Sequence, residues 1–273
     1  MRKDYSIISE QQITVKEEEW VEQFWSQRWD SVAQLPDANS IAYREEYQLI
    51  APWLQQLPSG SKILDGGCGL GEWTIFLGDR GFEVVGFDIS QSTITRLQEI
   101  FDDRQFVHGD IRQTDFENDT FDAYFSWGTF EHFENGLGDC IREAYRILKP
   151  GGFLFISVPY QNWRHILRDS RALFHWDETY NPEQGYTGVR RFYQWRLTIP
   201  ELERELAIER FKVLRIHPIG REQGIKRMLI HDLPIQPETW LDRLVSPILS
   251  TLIPTRFVGH MILAIAQKKN KLK

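Results

Sequence analysis

The segment Ile63-Leu64-Asp65-Gly66-Gly67-Cys68-Gly69-Leu70-Gly71 constrains this chain more than any other stretch. An apolar run ends on a carboxylate and is followed by glycines at alternate positions. Glycine is required where backbone turns tightly or approaches a ligand with no Cβ in the way, and a helix starting just beyond presents free N–H donors. The loop therefore reads either as a ligand cradle or as a plain turn between a strand and a helix. It is not the dinucleotide fingerprint, because its spacing is Asp-x-Gly-x-Gly-x-Gly, and no Gly-Lys-Ser/Thr phosphate element is present. An acid beside the loop repels a pyrophosphate and favours the ammonium of an amino-acid moiety.

Around this loop, short β-branched or aromatic runs at 62–64, 83–87, 105–108, 123–126 and 153–158 alternate with amphipathic stretches at 72–79, 92–101 and 137–148. That rhythm predicts an α/β fold with a parallel sheet and helices on its faces. Lys149-Pro150-Gly151-Gly152 stops the third helix. Asp88 closes the second run, where a carboxylate can accept hydrogen bonds from both hydroxyls of a ribose. Asp110 closes the third, where it can accept from an adenine amino group. Each acid alone also reads as a helix N-cap or turn former. Three of them in register at strand ends favour a ligand, an adenosine carrying a zwitterionic tail, and S-adenosylmethionine fits that description.

With these residues in order, the chain resembles the class I S-adenosylmethionine-dependent methyltransferases over about residues 60–267. The further motifs are Phe121-Asp122 opening a fourth strand and Leu148-Lys149-Pro150-Gly151-Gly152 ahead of the fifth. The resemblance implies a Rossmann-like, doubly wound, mostly parallel seven-stranded sheet in which 211–217 and 260–266 are the last two strands and one strand is antiparallel. It also implies that Asp65, Gly67 and Gly69 hold the methionyl end, Asp88 the ribose and Asp110 the adenine, with Ile111 beside the ring and Trp127 bordering the cofactor. Residues 1–59 form a helical N-terminal cap, 160–197 and 221–257 are insertions, and 268–273 are a basic tail.

Methyl transfer from a sulfonium asks a protein mainly for approach geometry and exclusion of water, so a general base is optional. His132 and Glu131, in the segment after strand four, are the catalytic candidates: an imidazole with an ordinary pKa of about 6.5 can take a proton from a hydroxyl or amine. His132 alternatively serves as a structural hydrogen-bonding group. Arg28 and Arg44 of the cap either reach the cofactor carboxylate or pair on the helix surface. The first insertion carries Trp163, Arg164, His165, Arg168, Arg171, His175, Trp176, Tyr180, Tyr186, Arg190, Arg191, Tyr193 and Trp195. It reads as an acceptor lid for an anionic or conjugated substrate, or as an excursion with a small core of its own. In the second, Trp240, Leu241, Leu244, Val245, Ile248, Leu249, Leu252 and Ile253 form an apolar stripe interrupted by Pro247. Core packing is its default reading, with a dimer face or a membrane surface as alternatives.

The formal charge is −7, from 32 basic and 39 acidic residues, and the only basic cluster is the tail Lys268, Lys269, Lys271 and Lys273. A nucleic-acid partner is therefore not expected. The longest clean apolar run, 261–266, is far short of the ~18 residues of a transmembrane helix. With two cysteines, Cys68 and Cys140, and a polar amino terminus, the expected address is the cytoplasm. No metal is expected. The expected activity is methyl transfer to oxygen or nitrogen of a small-molecule acceptor. Its rivals are a membrane-surface methyltransferase of a lipid or quinone and a non-catalytic S-adenosylmethionine-binding regulatory subunit. Oligomeric state has no signature in the sequence.

Overall fold

The structure, a computed structural model, describes residues 1–8, 14–171, 180–181, 185–186, 189–233, 235 and 239–270. The chain opens with β1 (Arg2–Ile8), α1 (Glu17–Asp30), a 3-10 helix (Ala38–Tyr43) and α2 (Glu45–Leu54). Next come β2 (Lys62–Gly66), α3 (Glu72–Gly78), β3 (Glu83–Asp88), α4 (Gln91–Ile100) and β4 (Gln105–His108). They are followed by β5 (Phe121–Trp127), a 3-10 turn (Phe130–His132), α5 (Gly138–Ile147) and β6 (Leu148–Pro159). The first excursion holds α6 (Trp163–Arg171), the short β7 (Tyr180–Asn181) and β8 (Gly185–Tyr186), and β9 (Val189–Arg196). The chain then runs through α7 (Ile199–Ile208), β10 (Phe211–Ile219), α8 (Arg221–Asp232), α9 (Trp240–Leu252), α10 (Thr255–Val258) and β11 (Met261–Lys268).

Seven strands form one sheet in the order β10-β11-β6-β5-β2-β3-β4. The neighbours from β6 to β4 are parallel, and β11 is antiparallel to both β6 and β10. The expected doubly wound sheet with one antiparallel strand is therefore observed. Parallel strands are covered on both faces and need apolar residues at nearly every position, which is why these segments were legible as runs. Successive residues point to opposite faces. Ile63, Ala123, Phe125 and Phe155 pack with α2 and α3, whereas Leu64, Tyr124, Leu154 and Ile156 pack with α5 and α7. Each leucine, isoleucine and phenylalanine among them contributes about 1.5 to 3 kcal/mol by leaving water. Strand order reverses between β2 and β5, so the connections that leave their carboxyl ends run to opposite faces and leave a crevice, the usual ligand position in such sheets.

Four features differ from expectation. The amino-terminal cap is not wholly helical, because β1 pairs antiparallel with β9. Its stability comes from a partner far along the chain: Asp4 accepts from Arg196 Nε at 2.9 Å, and the Lys3 ammonium lies 5.2 Å from the centre of the Trp195 ring. Strand β6 begins at Leu148 and not at Phe153. Leu148 opposes Phe121 while Phe153 opposes Ala123, so 149–152 bulge out within one continuous strand. Helix α9 runs through Pro247, which removes one backbone donor without ending the helix. Its stripe is also divided. Val245, Leu249 and Ile253 pack with Ile225, Met228 and Leu229 of α8, whereas Trp240 (76% exposed), Leu244, Ile248 and Leu252 face outward. His175, Trp176, Lys271 and Lys273 lie outside the described residues.

Candidate functional site

The turn after β2 needs backbone that only glycine adopts cheaply. Gly67 has φ +80°, Gly69 +50° and Gly71 +78°, all left-handed. Two hydrogen bonds to Phe87 O fix the loop against β3, from Gly67 N–H at 2.7 Å and Cys68 N–H at 3.1 Å. A Cβ on Gly67 would sit 2.3 Å from Thr129 Oγ1. Gly67→Ala is therefore expected to add both backbone strain, about 1 kcal/mol or more, and a steric clash. The check is nucleoside binding: Gly67→Ala should lose it, and Thr129→Gly in the same chain should restore it only partly.

Asp88 at the end of β3 is buried and anchors the loop from the other side. Its Oδ2 accepts Gly69 N–H and its Oδ1 accepts Ser90 N–H, each at 2.9 Å. Burial raises its pKa, and those two N–H donors oppose the rise. Asp65 is likewise buried and accepts the Thr74 hydroxyl at 2.8 Å, and burial pushes its pKa up to about 7. Asp88 and Glu72 nearby add to that rise. A cation arriving here would relieve the crowding of carboxylates.

These residues open onto a cavity of about 270 Å³. Asp65, Gly67, Gly69, Asp88, Ile111, Trp127 and His132 all line it. Asp110 does not. Its carboxylate is turned to Arg112, two residues on, which holds it with Nη2 at 2.6 Å and Nε at 3.0 Å. The same guanidinium donates to Glu17 and Glu18, so Asp110 ties α1 to the end of β4 and does not present an acceptor to the cavity. Burial on the sheet leaves Trp127 Nε1 without a hydrogen-bond partner among the described residues. A polar ligand in this cavity would supply one.

Three walls were not anticipated as site residues. Val21, Trp25 and Trp29 reach in from α1, Trp73 from α3, and Thr129 and Phe133 from the segment after β5. The two α1 tryptophans stack with their ring centres 5.4 Å apart. Their four-residue spacing, which puts both rings on one helix face, was the available signal. Of the two cap arginines, Arg44 lines the cavity and pairs with Glu72, whereas Arg28 does not line it.

The 3-10 turn after β5 carries both catalytic candidates. His132 is 5% exposed, and its Nδ1 lies 2.8 Å from Tyr193 O, a carbonyl that can only accept, so Nδ1 carries the proton in the neutral ring. Burial pushes the His132 pKa down to about 4, against the pull of the Tyr193 and Gly128 backbone. Nε2 is then the basic nitrogen. Glu131 lies behind it, 1% exposed, with Oε1 3.9 Å from His132 Nε2 and Oε2 unpartnered among the described residues. Burial raises the Glu131 pKa from 4.5 to about 8. Between those values the folded chain keeps this carboxyl protonated while the unfolded chain ionises it, so stability falls as pH rises through that window. Relative to Glu131→Gln, the wild type should lose on the order of 4 kcal/mol by pH 8, read as the difference between the two denaturation profiles against pH.

Residues 63–152 match the family model described as a methyltransferase domain. A tRNA (carboxymethyluridine(34)-5-O)-methyltransferase of Arabidopsis thaliana is 31% identical over 150 residues, covering 54% of this chain and 34% of that protein. A demethylmenaquinone methyltransferase of Staphylococcus saprophyticus is 36% identical over 103 residues, covering 35% of this chain and 43% of that one. The chain thus spans less than half the length of these curated relatives. A solved S-adenosylmethionine-dependent methyltransferase from Methanosarcina mazei superposes with a TM-score of 0.55 at 22% identity, over 81% of this chain and 98% of that one, a likeness of fold. The sheet order, the glycine turn pinned by the acid after β3, and the matched residues 63–152 all lead to one assignment: the chain carries a methyltransferase domain of the class I, S-adenosylmethionine-dependent type.

Proposed function

We propose that this protein transfers a methyl group from S-adenosylmethionine to oxygen or nitrogen of a small-molecule acceptor, with His132 as general base. One observation carries the reading: the glycine loop, the buried acids Asp65 and Asp88, and His132 line the same cavity. The residues suit the cofactor. Gly67 is a cradle that a Cβ would fill, Asp65 is placed for an ammonium, Asp88 has lone pairs left for a ribose diol, and Trp127 Nε1 lacks a partner. When bound, S-adenosylmethionine supplies a methyl carbon activated by a sulfonium. Asp65, Gly67 and Gly69 hold the methionyl end, Asp88 the ribose, and Ile111 packs beside the adenine. Trp25, Trp29 and Phe133 exclude water. His132 Nε2 accepts the proton that the acceptor gives up, and the Tyr193 carbonyl keeps the ring in the required tautomer and steadies the imidazolium.

Transfer of label from methyl-labelled S-adenosylmethionine across a panel of hydroxyl and amine acceptors tests this. Turnover with one acceptor supports it and removes a purely regulatory role. Binding of the cofactor with no turnover on any acceptor class counts against it.

The outward row Trp240, Leu244, Ile248 and Leu252 favours a second reading, an acceptor presented at a membrane surface, such as a lipid or quinone. The similarity to a demethylmenaquinone methyltransferase points the same way. No helix of the described residues is long and apolar enough to cross a membrane. Flotation with liposomes that is lost on Trp240→Ser, Leu244→Ser would support it, and a protein that stays at the bottom of the gradient would exclude it. The similarity to a tRNA methyltransferase brings a third acceptor class into the same panel, although the acidic chain offers little to a phosphate backbone.

A further inference from the structure

A second pocket, of about 110 Å³, opens where the end of β6, α6, β9, α8 and the residue before β11 meet. Tyr160, His165, Arg168, Arg196, Arg227 and His260 line it, with Asp4 as the acid among them. Its volume, less than half of the 270 Å³ of the cofactor cavity, suits a single phosphoryl or carboxylate group and not a whole acceptor.

The charges do not cancel. Arg196 is matched by Asp4 at 2.9 Å, and the neighbouring Arg164 by Asp232 at 2.7 Å. Arg168 and Arg227 make no ion pair or hydrogen bond among the described residues, so two guanidinium groups stand unbalanced in a chain whose formal charge is −7. Both histidines are held neutral. His165 donates Nδ1–H to Tyr160 O at 3.2 Å and accepts from Arg164 at Nε2. Burial first, and then Arg196, Arg164 and Arg168, press its pKa down to about 3, while burial and Arg227 press His260 to about 4. An anion would balance the positive potential that these groups register.

Strand β9 links the pocket to the cofactor cavity. Tyr193 of β9, one residue before Gln194 in the pocket wall, accepts the His132 Nδ1–H and has its ring centre 5.1 Å from the His132 ring. Burial raises the pKa of its phenol, with Glu131 and Asp4 adding to the rise and Arg28 and Arg227 opposing it. His260 adjoins Met261, whose methyl group approaches Gly128 of the cofactor cavity.

We propose that this pocket holds the anionic end of the methyl acceptor, a phosphate or carboxylate group gripped by Arg168 and Arg227, and thereby sets the acceptor's reacting atom at His132. The proposal rests on the methyl-transfer reading for the word acceptor, and the pocket's affinity for an anion is measurable without it. Guanidinium forks suit both groups because each can accept two parallel hydrogen bonds.

The test uses the full chain and three titrations at constant ionic strength: inorganic phosphate, acetate and S-adenosylhomocysteine. Wild type should bind phosphate or acetate at millimolar concentration, and whichever binds more tightly names the group. Arg168→Gln and Arg227→Gln should each weaken that binding at least about tenfold while S-adenosylhomocysteine affinity stays within about twofold. Lysine at either position should recover part of the loss. Both side chains are exposed, so the variants should fold, and the unchanged nucleoside affinity reports that they do. A parallel arm with phenyl phosphate against phosphatidylcholine vesicles with and without phosphatidic acid separates a soluble phosphate from a lipid headgroup. No binding of either anion to wild type, or equal binding to both variants, overturns the proposal. Anion binding that follows the arginines in a chain that does not bind S-adenosylhomocysteine upholds the anion pocket and overturns its assignment to a methyl acceptor.

Discussion

Replacing Asp88 by alanine should weaken S-adenosylhomocysteine binding about 10- to 100-fold and lower the stability of the free protein by about 2 kcal/mol. The two losses share one cause. The carboxylate accepts Gly69 N–H and Ser90 N–H in a buried setting, so its removal orphans two donors and takes away one of the loop's three hydrogen bonds to β3, even before a ribose loses its acceptor. Asparagine at the same position keeps one oxygen and should recover part of both effects. Calorimetric titration gives the affinities, and urea denaturation gives the stability. An alanine variant that binds as tightly as wild type would remove Asp88 from the site.

His132→Gln carries the second large effect, a fall in kcat of about 10²- to 10⁴-fold with S-adenosylhomocysteine affinity within about threefold. The ring is neutral at working pH because burial holds its pKa near 4, so the proton-accepting form is the one populated. Glutamine fills a similar space and can still donate to Tyr193 O, but it offers no nitrogen that takes up a proton. The division between rate and affinity is what distinguishes a base from a wall of the cavity. Equal losses in kcat and in nucleoside binding would make His132 a wall.

Cofactor-side features were legible in the sequence because they are local. A parallel strand buried on both faces writes itself as an apolar run, and a left-handed turn writes itself as glycine, so β2, β3, β4 and the 65–71 loop could be placed with no partner in view. The start of α7 is equally local: Thr198 precedes it, and its backbone N–H is accepted by Glu201 three residues on at 2.8 Å. What failed to show depends on distant partners. Strand β1 is ordinary polar sequence until β9 arrives to pair with it. Asp110 sits at a strand end like Asp88, yet Arg112 captures it, and nothing in its own position announced that. The division of the α9 stripe is equally invisible in its spacing, because the helix buries one row on α8 and turns the other outward. Trp25 and Trp29 belong to the cavity because distant partners fasten α1 over it, among them the Asp110–Arg112–Glu17 link and the Ser26–Ser90 hydroxyl pair.

The central claim is that the glycine loop holds an adenosyl cofactor, and a calorimetric titration of the wild-type chain with S-adenosylhomocysteine tests it most directly. The account predicts saturable binding at one site per chain, with a dissociation constant near micromolar, that Asp88→Ala and Gly67→Ala both impair. A folded sample that gives no binding heat and no thermal stabilisation at millimolar nucleoside would contradict it.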